Sequence, residues 1–263
     1  MVSESWKKGL KYLFIAVIII LLILFGTTFY LFDQSSRQSE QHNFHYSIHL
    51  SYTRTIENVT ILLPVPLLNG TTVLAEPFLE RTVQSIPDDW NLSIERVNSM
   101  PMLAIRAVRM VPEYHGFPIA IEPGQSPLPT TLVPGTEYSS DTPILQPISI
   151  GTMHSVHRTI DTHNPVGNEP VFVPDGEFIL LTSTPKTPRL GKEYSHTVPA
   201  YLAFTADGPA EVHIATRIQG TNSIWWGGWV YNRYADTVTW DSDHSTGWTN
   251  ATASLYTEEG TYY

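Results

Sequence analysis

The sequence predicts an all-β fold: an antiparallel, β-sandwich-like ectodomain of one large or two small lobes behind a single N-terminal transmembrane helix. Three observations predict it. Residues 13–32 (LFIAVIIILLILFGTTFYLF) are twenty residues without a charge. Beyond them apolar residues recur with period two, and no long run carries the i, i+3, i+4 pattern of a helix. The charged fraction, 15%, is low against a usual ~25%, whereas 20 prolines and 16 glycines break the chain into short segments.

The helix comes first. Twenty residues at ~1.5 Å rise match the ~30 Å of a bilayer's hydrocarbon, so 13–32 reads as a transmembrane helix. Lys7, Lys8 and Lys11 precede it, which places residues 1–12 in the cytoplasm and the rest outside. Trp6, Tyr12 and Tyr30 suit the two interfaces. FYLFDQSS offers no small-residue cleavage site, so the reading is a retained signal-anchor in the cell membrane. Lys7-Lys8-Gly9 also resembles the processing signal of type IV pilin-like proteins, which are cut after the glycine; Lys11 and the lack of an early helical glutamate depart from that pattern.

Residues 33–42 (DQSSRQSEQH) are polar and read as a short stalk, and residues 43–263 as the extracytoplasmic β domain. Phe44, Tyr46, Ile48, Leu50 and Tyr52 alternate with polar residues, the pattern of a strand with one buried face. Val59–Leu63 is expected to pair back on it across Glu57-Asn58, and Asn69-Gly70 suits a type I′ turn. Strands follow at Leu92–Val97, Leu103–Met110 and Phe178–Thr182, the last behind a Pro174-Asp175-Gly176 turn. The clearest hairpin signal is Ala200–Thr205, Asp207-Gly208, Glu211–Ile218. Between them, residues 112–176 are proline-rich and read as a long loop wrapped on the sheets or a seam between two lobes.

The formal charge is −10; three lysines against Glu4 in residues 1–32 leave about −12 on the remainder. That balance excludes nucleic acid as a partner. The absence of cysteine removes disulfides, thiolate chemistry and cysteine-rich zinc sites, and a large ectodomain without disulfides points to a prokaryotic surface. In three stretches, NVTILLPVPLLNGT, DDWNLSIERVNSMPMLAIRA and WWGGWVYNRY, the chain resembles uncharacterised membrane-anchored surface proteins of methanogenic archaea. That resemblance implies a compartment and no reaction.

Four features carry candidate chemistry. Asn58, Asn69, Asn91 and Asn250 head N-x-Ser/Thr sequons and are candidate glycosylation sites. His154, His157, Asp161 and His163 form the densest set of metal-ligand types, without the spacing of a helical HExxH site. Asp241, Asp243 and Ser245 suit a loose calcium loop, although Gly247 falls one place late for an EF-hand. Trp225, Trp226 and Trp229, followed by Tyr231, either fill the core around a Gly227-Gly228 bulge or form an exposed platform that stacks on sugar rings. Ser183-x-x-Lys186 is discarded as a serine-acyltransferase motif because Pro185 interrupts its helix.

No elbow, phosphate loop or dinucleotide fingerprint is present. The expected function is therefore a non-enzymatic surface role: adhesion, envelope organisation or a subunit of a surface assembly. It needs no cofactor, and its partners are the membrane and surface proteins or glycans. The alternatives are a carbohydrate-binding module, a metal-dependent extracytoplasmic enzyme using calcium or another divalent ion, and a pilin-like subunit.

Overall fold

The computed structural model describes residues 4–83, 86–118, 138–181 and 190–262. Its first element, α1 (Glu4–Gln38), is one unbroken helix. Within Lys11–Gln38 an 18-residue window has a mean hydropathy of 2.7, and that window is not buried against the rest of the chain. By length and composition α1 is long and apolar enough to cross a bilayer. Within the run, the Thr27 and Thr28 hydroxyls donate to the carbonyls of Ile23 and Leu24 at 2.8 Å, so neither polar side chain is left unpaired.

The expected stalk is corrected. Residues 33–38 continue the helix, helped by an Asp33–Arg37 pair one turn apart at 3.0 Å, and the first strand begins at Gln41. Ser39 and Glu40 alone join them. Polarity marks where the apolar run stops, not where the helix ends.

Twelve strands follow among the described residues: β1 (Gln41–Tyr52), β2 (Ile56–Pro64), β3 (Asn91–Val97), β4 (Met100–Met110), β5 (Glu113–Pro118), β6 (Tyr138–Gln146), β7 (Ile148–Ser155), β8 (Ile179–Leu180), β9 (Leu190–Thr205), β10 (Val212–Trp225), β11 (Trp229–Ser242) and β12 (Gly247–Tyr262). A single helical turn, α2 (Glu76–Leu79), lies between β2 and β3. Ten strands form one curled antiparallel sheet ordered β3-β4-β2-β9-β12-β11-β10-β1-β7, with β8 on the free part of β9, while β5 and β6 pair separately. The fold is all-β behind one helix, as expected.

Two expected pairings are overturned. β1 pairs with β10 and β7, not with β2, and β9 pairs with β12, β2 and β8, not with β10. Both connections are arches across the curl. Residues 53–55 carry the chain from β1 to β2, and residues 206–211 carry it from β9 to β10. They run side by side, the Thr53 N–H donating to the Glu211 carbonyl at 2.9 Å. The resulting order β9-β12-β11-β10 is a Greek key. A turn dipeptide between alternating runs looks the same in a hairpin and in a short arch. Glu57-Asn58 is a bulge within β2, where Asn58 takes φ 52° and the register with β9 shifts. The turn at Asn69-Gly70 forms as expected, with φ 53° and 75° and reciprocal bonds between Leu68 and Thr71.

The inward face carries the alternation read from β1: Phe44, Tyr46, Ile48, Leu50 and Tyr52 are buried, as are Val212, Ile214 and Ile218 opposite them. Two irregular connections complete the core. Residues 65–90 contribute Leu74, Phe78 and Trp90, the Phe78 ring lying 5.2 Å from that of Tyr46. Residues 156–178 contribute Ile160, Val171 and Phe172. Part of the proline-rich middle is thus a loop wrapped on the sheet; residues 119–137 and the Ser183–Lys186 pattern lie outside the described residues.

A loop in a core exposes its backbone to no water, so its polar groups need partners from the strands. Asn222 accepts from the Ile160 N–H at 2.9 Å and donates to the Ile160 carbonyl at 2.8 Å. Thr162 donates to Asn232, the Tyr234 hydroxyl to the Pro170 carbonyl, and the Phe172 N–H to Asp236. The other Asp236 oxygen meets His196 Nε2 at 2.7 Å, both side chains fully buried. Gly220 has no side chain because the Tyr234 ring lies across it; a Cβ there would stand 2.4 Å from that ring.

Replacing Asn222 by Ala strands both polar groups of Ile160, and denaturant unfolding of the detergent-solubilised protein is expected to show a loss of ~2–4 kcal/mol. Asp236→Ala, which leaves His196 and Phe172 unpartnered, should lose ~3–5 kcal/mol. Burial pushes the Tyr46 and Tyr234 phenols well above their ordinary range and that of Tyr52 up to about 12. Because these raised values favour the neutral phenol in the fold, stability should hold below pH ~10 and fall as pH rises from there through about 12. Tyrosinate absorbance that appears together with loss of β circular dichroism would show it; free titration of all thirteen tyrosines in a folded protein would refute it.

Candidate functional site

The feature that stands apart from the core is the tip of the β10–β11 hairpin. Trp225 and Trp229 are directly opposed across the two strands and share the outward face with Tyr231, while Trp226, Gly227 and Gly228 make the turn. The Trp226 N–H donates to the Gly228 carbonyl at 2.8 Å, and Gly227 takes φ 72°, a backbone that a side chain would strain. The core-filling reading of these rings is overturned: Trp225 is 38% and Trp226 45% exposed, and Trp229 is half-buried. At the end of a hairpin there is no facing layer to bury them.

What they do meet is α1. The Phe32 ring lies 5.0 Å from Trp226, edge-on, and 5.7 Å from Trp225. One turn further along, the Ser36 hydroxyl donates to the Trp225 carbonyl, and the Trp225 N–H donates to the Ser39 hydroxyl at 2.8 Å. The hairpin tip is therefore fastened to the last turns of the helix by backbone bonds and aromatic contacts together. From Thr221 to Asn232 the hairpin carries no charge. The next ionised group, Arg233, is held by Glu258 at 2.6 Å and lies over the Tyr231 ring, whose hydroxyl donates to the same carboxylate at 3.0 Å.

The other candidates are dispersed. His154 sits half-buried on β7 opposite Phe44, while His157 and His163 are exposed in the loop beyond. The Asp161 carboxylate is occupied in shaping that loop, accepting from the Asn164 N–H at 2.9 Å and from the Asn168 amide at 3.1 Å. Among the described residues no three His, Asp or Glu side chains come together as a metal site, this set included. Asp241 pairs with His213 at 2.6 Å and Asp243 with the adjacent His244, which holds the Asp243 carboxyl below the usual range, while Ser245 donates to the Leu202 carbonyl. Asn58, Asn69, Asn91 and Asn250 are all exposed, two of them at positive φ.

Open clefts lie at the opposite end of the sheet from the helix. One of about 560 Å³ is lined by Tyr52, Trp90, Arg109 and Glu113 among others; one of about 730 Å³ includes Ser51, Glu211, His213, Trp240 and Asp241. Sequence reasoning found the aromatic cluster but missed both its neighbour and these clefts, because no local pattern links Phe32 to a hairpin nearly two hundred residues away. Comparison of the chain with family models, curated proteins and solved structures finds no match in any of the three.

If the contact with Phe32 positions the hairpin, Phe32→Ala should raise the mobility of the tip while leaving the sheet intact. Hydrogen exchange of the full chain in nanodiscs would then rise several-fold at residues 224–230 and stay unchanged in β1 and β12.

Proposed function

We propose that this chain is a membrane-anchored extracytoplasmic β protein with a non-enzymatic surface role, in adhesion, envelope organisation or as a subunit of a surface assembly. The observation that carries this reading is the junction. A helix that is long and apolar enough to cross a bilayer runs, through two residues, straight into the first strand and is clamped to the tip of the β10–β11 hairpin. A tether of that kind holds a domain in a fixed pose instead of letting it sweep the solvent on a flexible linker. The open clefts and the β11–β12 turn then face away from the membrane, where a partner reaches them. The lysines before the helix support an orientation with residues 1–12 in the cytoplasm and the β domain outside.

The exposed sequons fit the same compartment, and we assign Asn58, Asn69, Asn91 and Asn250 as glycan acceptors in a host that modifies surface proteins. Stepwise Asn→Gln replacement should then remove the protein's excess mass one glycan at a time; an unmodified mass in the native host would refute the assignment.

The lack of cysteine makes topology directly testable. Asn69→Cys should react with a membrane-impermeant maleimide on intact cells and Ser3→Cys only after lysis; the reverse pattern overturns the orientation. Deletion of the chain should weaken surface attachment or envelope integrity. A substrate-dependent activity lost on changing His154 and His157 would defeat the non-enzymatic reading.

A further inference from the structure

We infer that the β10–β11 hairpin tip is a second membrane contact, with Trp225, Trp226 and Trp229 lying in the headgroup–acyl boundary of the same bilayer leaflet that α1 leaves. The inference rests on α1 spanning a membrane and adds to it a lipid-binding surface on the β domain.

Depth along the helix is the first ground. The uncharged run ends at Phe32, and the Asp33–Arg37 pair marks water-side polarity immediately after it. Ser36, which holds the hairpin backbone, lies ~6 Å further out than Phe32 at ~1.5 Å per residue. The Trp226 ring nevertheless packs on Phe32 itself, so the tip reaches back down the helix towards the hydrocarbon. The indoles stand at the level where the apolar run ends.

Chemistry is the second. Tryptophan concentrates at membrane interfaces because its large apolar ring and its single N–H donor are satisfied together only there. Here Trp225, Trp226 and Val230 are each more than a third exposed, in a segment with no charge between Thr221 and Asn232. In water, such a patch packed on Phe32, at the end of a helix whose Phe29 and Leu31 are still more exposed, is unfavourable; against lipid it continues the surface of the helix. A sugar platform needs its flat face open to bulk solvent, whereas Trp225 and Trp226 share an edge with the transmembrane segment. The geometry therefore selects lipid over glycan as the occupant. With a helix and a hairpin both engaged, the bilayer holds the domain at two points.

The test uses the full chain, free of native cysteine, in phosphatidylcholine vesicles. Nitroxide labels are placed singly at Trp226→Cys, at Leu22→Cys within the helix and at Asn69→Cys on an exposed turn. Accessibility to oxygen relative to a water-soluble nickel complex should rank Leu22 highest, Trp226 several-fold above Asn69, and Asn69 as water-like. If Leu22 itself is water-accessible, the spanning reading of α1 fails. If Leu22 is lipid-like and Trp226 matches Asn69, the spanning reading stands and the hairpin contact is overturned. A second readout needs no label: in a Trp6→Phe background, lipids brominated near the ester region should quench native tryptophan emission, and the Trp225→Phe/Trp226→Phe/Trp229→Phe variant should lose most of that quenching. Unchanged quenching in this variant, or protection of the rings by soluble oligosaccharide without lipid quenching, also overturns the proposal.

Discussion

A sheet that curls far enough to bury one face leaves an open end, and in this protein that end is filled by backbone without secondary structure. Residues 156–178 bring Ile160, Val171 and Phe172 into the core, and with them a set of amide and carbonyl groups that water cannot reach. Leaving one such group unpaired costs ~1–3 kcal/mol, comparable to what burying an aliphatic side chain contributes. The arrangement is favourable only because Asn222, Asn232, Tyr234 and Asp236 project from β10 and β11 at the heights where the loop presents its backbone. Pro165 and Pro170 lie buried in the same segment and bring no N–H to satisfy.

The rest of the interior adjusts to that requirement. Tyr234 must cross the sheet to reach Pro170, so its neighbour on β10 is Gly220. The Asp236 carboxyl needs hydrogen-bond partners where no solvent supplies them, so His196 is placed against it and Phe178 lies over the imidazole at 4.4 Å. Glu169 within the loop accepts from the Asp161 N–H at 2.7 Å and is clamped by both Arg158 amines at 2.6 and 2.5 Å. Such a two-pronged pair fixes the loop's path in a way that a single hydrogen bond does not.

How much of this could be read from the chain depended on the range of the interaction. Alternation in β1, the strands near 92–97 and 103–110, the Asn69-Gly70 turn and the apolar helix are all written locally, and all are present. Strand partners were not legible. The choice between hairpin and arch at 206–211 is decided by which edges β12, β11, β1 and β2 occupy, and period-two patterning is blind to that. The polar residues that hold the 156–178 loop gave no signal either, since Asn222 and Asp236 look in sequence like ordinary interruptions of an apolar face. At the hairpin the exposure of three tryptophans could be posed as a question but answered only by seeing Phe32 beside them.

The two-residue junction between α1 and β1 also couples the helix to the domain as a shaft to a fixture. In an α-helix each residue advances the face by about 100° and the height by ~1.5 Å. Phe32 and Ser36 meet the hairpin because they are one turn apart on a common face, and Ser39, just past the helix end, sits in register with the Trp225 amide. A single residue added between Phe32 and Ser36 would swing the ring away from the indoles while the serines stayed with the hairpin. The azimuth of the β domain is thus encoded in helix length, and any rotation of α1 about its own axis is transmitted to the β domain.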